Sequence, residues 1–141
     1  MINSELKLTG HVKVLLNNEV VRDIPNLVVT AGKGYVASRM KDTTAGAMSH
    51  MAVGTDATAA AAGNTALGAE SARVALTSTA VSGAVITYSA TFPAGTGTAA
   101  LTEAGTLNAS SGGTLLCRTV FSTVNKGSSD SMSIVWQVTA S

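Results

Sequence analysis

Charge is what this sequence has least of. Only 12% of its 141 residues are Asp, Glu, Lys or Arg, and the formal net charge is +1, against about 25% charged residues in an average domain. A chain this neutral offers no basic footprint for nucleic acid and no patch for an anionic membrane. Long apolar runs are missing too, and nothing approaches the roughly 20 residues that a spanning helix needs. The single cysteine, Cys117, excludes an intrachain disulfide and a cysteine-built metal site, and fits synthesis in a reducing cytosol. The opening MINSELKLTG has no charged region followed by an apolar stretch, so no secretory leader is expected. Aromatics are scarce as well, with one Trp, two Tyr and two Phe.

What is present is Ser, Thr, Gly, Ala and a 45% hydrophobic fraction arranged with a beat of two, which argues for a folded chain. Glu5 to Leu16 alternates and reads as a half-buried strand bulged at Gly10. Asn17-Asn18 is a turn signal, Glu19 to Arg22 the returning strand, and Asn26 to Thr30 a short buried strand. The one helical candidate is Gly32 to Met40, with Tyr35, Val36 and Met40 near helical spacing. From Lys41 to Ala72 the composition turns to Ala, Thr and Gly around a strand at His50 to Val53; the rest reads as surface loop, with a helix packed on a neighbouring subunit as the alternative for DATAAAAGNTALGAE. Arg73 to Ala80 alternates. In Ala84 to Phe92 one face carries Ile86, Tyr88, Ala90 and Phe92. Leu101 to Ala109 and Thr114 to Phe121 form a hairpin, and Ser131 to Thr139 places Met132, Ile134, Trp136 and Val138 together.

Short strands between Gly, Ser and Asn turns predict a mainly β, single-domain antiparallel β-sandwich, jelly-roll-like, with one short helix, spanning residues 1–141. The hairpin of residues 1–25 is one candidate for an arm that contacts a partner. The expected core comprises Ile86, Tyr88, Phe92, Phe121, Ile134 and Trp136.

Catalytic patterns are sparse. His11 and His50 have no metal-ligand spacing to each other or to a carboxylate. Cys117 has Arg118 beside it, but strand neighbours point to opposite faces, so a buried structural cysteine is the better reading. AGKGYVAS lacks the spacing of a phosphate loop, and no serine sits in a GxSxG elbow. No catalytic, cofactor or metal site is expected, and no enzyme.

Two of the few charges, Glu103 and Arg118, fall inside EAGTLNASSGGTLLCRTVF. With Ser110, Ser111, Gly112 and Gly113 as the loop and Ala109 opposite Thr114, Gly105 faces Arg118 and Glu103 faces Val120. Acid and base then become diagonal neighbours on one face. Gly105 leaves room for the arginine to lie flat. The expectation is a self-neutralising, partly buried clip that fixes register more than it adds stability.

NLVVTAGKGYVASRM, MAVGT, LGAESARV and the hairpin followed by NKGSSDSMSIVWQV together resemble small structural proteins of tailed bacteriophages. In layout they are similar to tail-collar fibre domains: an "AVG-G" strand, an "L–E–R" segment, an "E-G-F–GGTL-AR" hairpin and a later "K". The matching positions are Ala52-Val53-Gly54, Leu67, Glu70, Arg73, Glu103, Gly105, Gly112, Gly113, Leu115, Arg118 and Lys126. After Gly105 the familiar apolar-aromatic pair is replaced by Thr106-Leu107. Little sequence follows the last expected strand, which favours a compact accessory piece over a long fibre. The resemblance implies a non-enzymatic virion protein, without cofactor, that is a capsid decoration or cement protein or a small neck or tail accessory. It implies partners in copies of itself, as a trimer, and in major capsid, neck or tail proteins. The alternatives are a fibre-attachment module at the collar or tail and, from another class, a carbohydrate-binding β-sandwich that recognises host surface glycans. The glycan reading requires exposed aromatics.

Overall fold

The computed structural model of the chain describes residues 6–41 and 46–141. The expected strand start at Glu5 and residues 42–45 of the Lys41–Ala72 stretch lie outside them. The elements are β1 (Leu8–Leu16), β2 (Glu19–Val28), α1 (Thr30–Lys41), β3 (His50–Gly54), β4 (Glu70–Ala75), β5 (Ser78–Ser82), β6 (Val85–Phe92), β7 (Ala99–Leu107), β8 (Leu115–Lys126) and β9 (Met132–Ala140).

All strand pairs are antiparallel, and the order across the sheet is β4-β3-β7-β8-β2-β1-β9-β6-β5. β2 is the pivot. Residues 19–26 pair with β1, while only Leu27 and Val28 reach β8, so the sheet curls there into a four-strand and a five-strand half. Pro25 has a ladder partner on the β1 side alone, a position a residue without an N–H tolerates. The two halves close on one core: Val12, Val14, Tyr88, Ile134 and Trp136 from the larger meet Met51, Val53, Leu101, Ala104 and Phe121 from the smaller. The chain is therefore a mainly β, antiparallel, sandwich-like single domain with one short helix.

Local chemistry explains the elements. Asn17 and Asn18 both adopt positive φ, 50° and 69°, the two-residue turn whose twist matches the flanking strands. β9 alternates as its sequence does, with Met132, Ile134, Trp136 and Val138 buried. The helix begins two residues before the expected Gly32 and carries Arg39 and Lys41 in its last turn, where cations complement the exposed carbonyls.

Further boundaries differ from the sequence reading, three of them in ways that matter to the packing. Glu19–Arg22 and Asn26–Thr30 belong to one long strand, β2, up to Val28. The alternation of Arg73–Ala80 is divided between β4 and β5; Leu76, between them, still packs on the core, so the apolar beat continues through the crossing from one half to the other. In the β7–β8 hairpin Leu107 faces Leu115 after a register shift, so Ala109 and Thr114 are not paired and the loop runs over residues 108–114. Asn108 Oδ1 closes it by accepting from Thr114 N at 2.7 Å, and Gly112 and Gly113 supply the positive φ, 62° and 81°, that the loop requires.

Candidate functional site

The outer face of the four-strand half carries a second, smaller core. Val29, Ala52, Leu67, Leu107 and Leu115 cluster there, under residues 55–69, which link β3 to β4. Beside them Glu103 on β7 and Arg118 on β8 are 0% and 2% exposed. Glu103 lies opposite Val120 and Gly105 opposite Arg118, the pairs that place the two charges diagonally on one face.

The pair is fully buried, not partly, and it is not a two-residue clip. Arg118 Nε donates to Glu103 Oε1 at 3.0 Å. Nη2 approaches the same oxygen to 3.0 Å and Asp56 Oδ2 to 3.6 Å, as ion contacts outside hydrogen-bond geometry. Glu103 Oε1 also accepts from Gly68 N at 2.9 Å, and Oε2 from Asp56 N at 3.0 Å and Ala69 N at 2.8 Å. Arg118 Nη1 donates to Thr58 O at 3.1 Å and Asn64 Oδ1 at 3.2 Å. Both ends of the 55–69 segment are thus fastened to one carboxylate, and its middle to the guanidinium. The cost of burying two charges is offset by six further polar contacts.

Gly105 has a different role from the one expected. A Cβ there would meet Leu67 Cδ2 at 2.8 Å and Leu115 Cδ1 at 2.9 Å; the space accommodates the segment's leucine, not the arginine. Arg73 holds the neighbouring hairpin loop. Its Nε and Nη2 donate to the two oxygens of Glu70 at 2.9 and 2.7 Å, and Nη1 to Ala109 O and Gly112 O, both at 2.9 Å. Lys126, also buried, donates to Pro93 O at 3.1 Å. Glu103 with Arg118, Gly105 with Leu67 and Leu115, and Arg73 with Glu70 and Gly112 thus form three sets of contacts in the four-strand half and the loops that join its strands.

The remaining candidates are dispersed. His11 Nε2 contacts the carboxylate of Asp23, a neighbour that strand pairing, not sequence spacing, provides, beside a recess of about 70 Å³ lined by His11, Lys13, Val135 and Gln137. His50 Nδ1 lies 2.8 Å from Ser49 Oγ. No third group completes either into a triad in any contact described. Burial pushes the Cys117 thiol up to about 12, the reverse of an activated nucleophile. No cluster of three or more His, Cys, Asp or Glu side chains with metal-binding geometry occurs among the described residues.

Trp136, Phe92, Ile134, Tyr88 and Phe121 are buried core, and burial raises the Tyr88 hydroxyl pKa. Ile86 is only half-buried and borders a groove along α1. That groove consists of adjoining recesses of about 460, 230 and 260 Å³: Val36 lines all three, Leu8 the first two and Tyr35 the last two. Tyr35 accepts from Met48 N at 3.3 Å, so its hydroxyl is part of the groove wall.

No family model, no curated protein and no solved structure matches the chain.

Proposed function

We propose that the chain is a non-enzymatic structural protein of a tailed-phage virion, a capsid decoration or cement protein or a small neck or tail accessory, that works by packing against copies of itself and a larger shell. One observation carries the reading. Most of the residues that resemble phage tail-collar domains serve, in this fold, to brace the four-strand half: Leu67 fills the space at Gly105, Glu103 and Arg118 fasten the 55–69 segment, and Arg73 braces the Gly112 loop. Such a cluster builds a scaffold and leaves no converging polar groups for a substrate. The exterior is weakly charged and rich in small residues, which permits close contact at little desolvation cost. A glycan module is disfavoured because Trp136, Phe92 and Tyr88 are in the core and offer no stacking platform.

The test is to look for the chain in purified virions, count its copies by quantitative mass spectrometry and locate it by electron microscopy. A copy number on the order of hundreds places it on the capsid and about a dozen on the neck or tail, given the symmetry of each. Absence from particles overturns the reading.

A further inference from the structure

The sheet has two ends, and they are not alike. At one, β4 carries the Glu70–Arg73 ion pair, the kind of charged edge that resists pairing with another strand. At the other, β5 reads Ser-Thr-Ala-Val-Ser, with no charge and no proline, and all five residues are exposed. Val81 is 72% exposed. β5 pairs with β6 on one side, from Ser78 opposite Ser89 to Ser82 opposite Val85, and nothing lies beyond it in the sheet.

We infer that β5 is a seam for a second copy of this chain, which adds its own β5 antiparallel about a two-fold axis through Ala80. The sequence is self-complementary in that register. Ala80 meets Ala80 of the second copy, Ser78 meets Ser82, and Thr79 meets Val81. A two-fold pairing opposes each residue to its own strand, so any charge near the axis would face its like; β5 contains none. Thr79 and Val81 point to the groove side, where they line recesses with Tyr88 and Ile86, while Ser78, Ala80 and Ser82 occupy the other face. Both faces present side chains small enough for the strands to approach to ladder distance. Because the pairing is isologous, β5 on β5, and the other end of the sheet carries the Glu70–Arg73 ion pair, it closes at two copies instead of propagating as a fibre.

Two five-residue strands bury far less than the roughly 1,600 Å² of a stable complex. The seam is therefore weak in dilute solution and fills where copies are held close together, as on a shell. The inference rests only on the self-packing part of the proposed function and gives a two-fold dimer, not the trimer that the phage likeness implies.

Two measurements on the full chain test it. In a dilution series up to about 1 mM, amide resonances of Ser78–Ser82 should shift with concentration, and Ala80→Lys should weaken the self-association about tenfold or more while leaving the remaining spectrum in place. Ala80→Cys should give a disulfide-linked dimer under mild oxidation, since directly opposed strand residues lie within bridging distance. Ser128→Cys, on an exposed loop, should not, and native Cys117 is buried. Concentration-independent β5 resonances, an oligomer indifferent to Ala80→Lys, or cross-linking no greater at residue 80 than at residue 128 would each overturn the seam. Absence of the chain from virions would defeat the virion reading and leave these outcomes unchanged.

Discussion

Leu67, on the 55–69 segment, and Gly105, on β7, fit as plug and socket: a Cβ on residue 105 would lie 2.8 Å from Leu67 Cδ2. Gly105→Ala should therefore destabilise the fold by about 1–3 kcal/mol, the usual range for overpacking. The penalty should shrink in a Leu67→Ala background, where the tightest of the added methyl's contacts is removed and that with Leu115 Cδ1 at 2.9 Å stays. Urea unfolding of the two single variants and the double variant measures the coupling; additive effects would mean that the socket is not shared.

Glu103→Gln should cost about 3–5 kcal/mol, because it leaves Arg118 as a buried charge without its counter-ion. It also points an amide N–H₂ at backbone donors. Hydrogen exchange should quicken at the amides of Asp56, Gly68 and Ala69, which Glu103 now accepts from, more than in β9. An unchanged melting temperature would show that the pair is dispensable.

Arg73→Lys keeps the charge but loses the fork that grips Glu70, Ala109 and Gly112. The expected cost is about 1–2 kcal/mol, with new protease sensitivity confined to the 108–114 loop. Limited proteolysis followed by mass spectrometry reads the site of cleavage.

Asp130 accepts from Asn17 Nδ2 at 2.9 Å and Gly127 N at 2.7 Å, and Asp56 accepts from Thr58 N at 3.0 Å. The Asn17 side chain, first, and the Gly127 amide hold the Asp130 carboxyl below its ordinary 3.8, and the Thr58 backbone amide does the same for Asp56. The unfolded chain thus binds these protons more readily, so the stabilisation is complete above about pH 4 and is lost as the pH falls below it. Asp130→Asn should lower stability at neutral pH, flatten the acid limb of a stability–pH curve and converge with wild type at low pH.

Cys117, with its thiol pushed up to about 12 by burial, should be inert to iodoacetamide at pH 8 in the native protein and react only on unfolding. Labelling at native rates equal to those in urea would contradict its place in the core.

Much of the architecture is legible in the sequence because side-chain alternation reports which face is buried. The β9 face from Met132 to Val138 and the β6 face from Tyr88 to Phe92 follow it directly. The expected register that sets Gly105 opposite Arg118 is the one observed, although the loop is longer than Ser-Ser-Gly-Gly and the ladder slips at Leu107. The work of the 55–69 segment is not legible. It is attached largely through backbone amides of Asp56, Gly68 and Ala69 and the carbonyl of Thr58, and a backbone group has no signature in an alanine-rich string. The Leu67 plug was the one available signal, a lone leucine in DATAAAAGNTALGAE. His11 beside Asp23 was equally hidden, since their contact comes from the β1–β2 register and not from spacing along the chain.

Fastening by backbone has a practical corollary. The side chains of Ala57, Ala59, Ala61, Ala62, Thr65 and Ala66 point outward and take no part in the hydrogen bonds that hold the segment in place. Their identities can be rewritten without touching the Glu103–Arg118 anchor, which makes this loop a ready-made presentation site: foreign residues grafted there would be displayed on a rigid base.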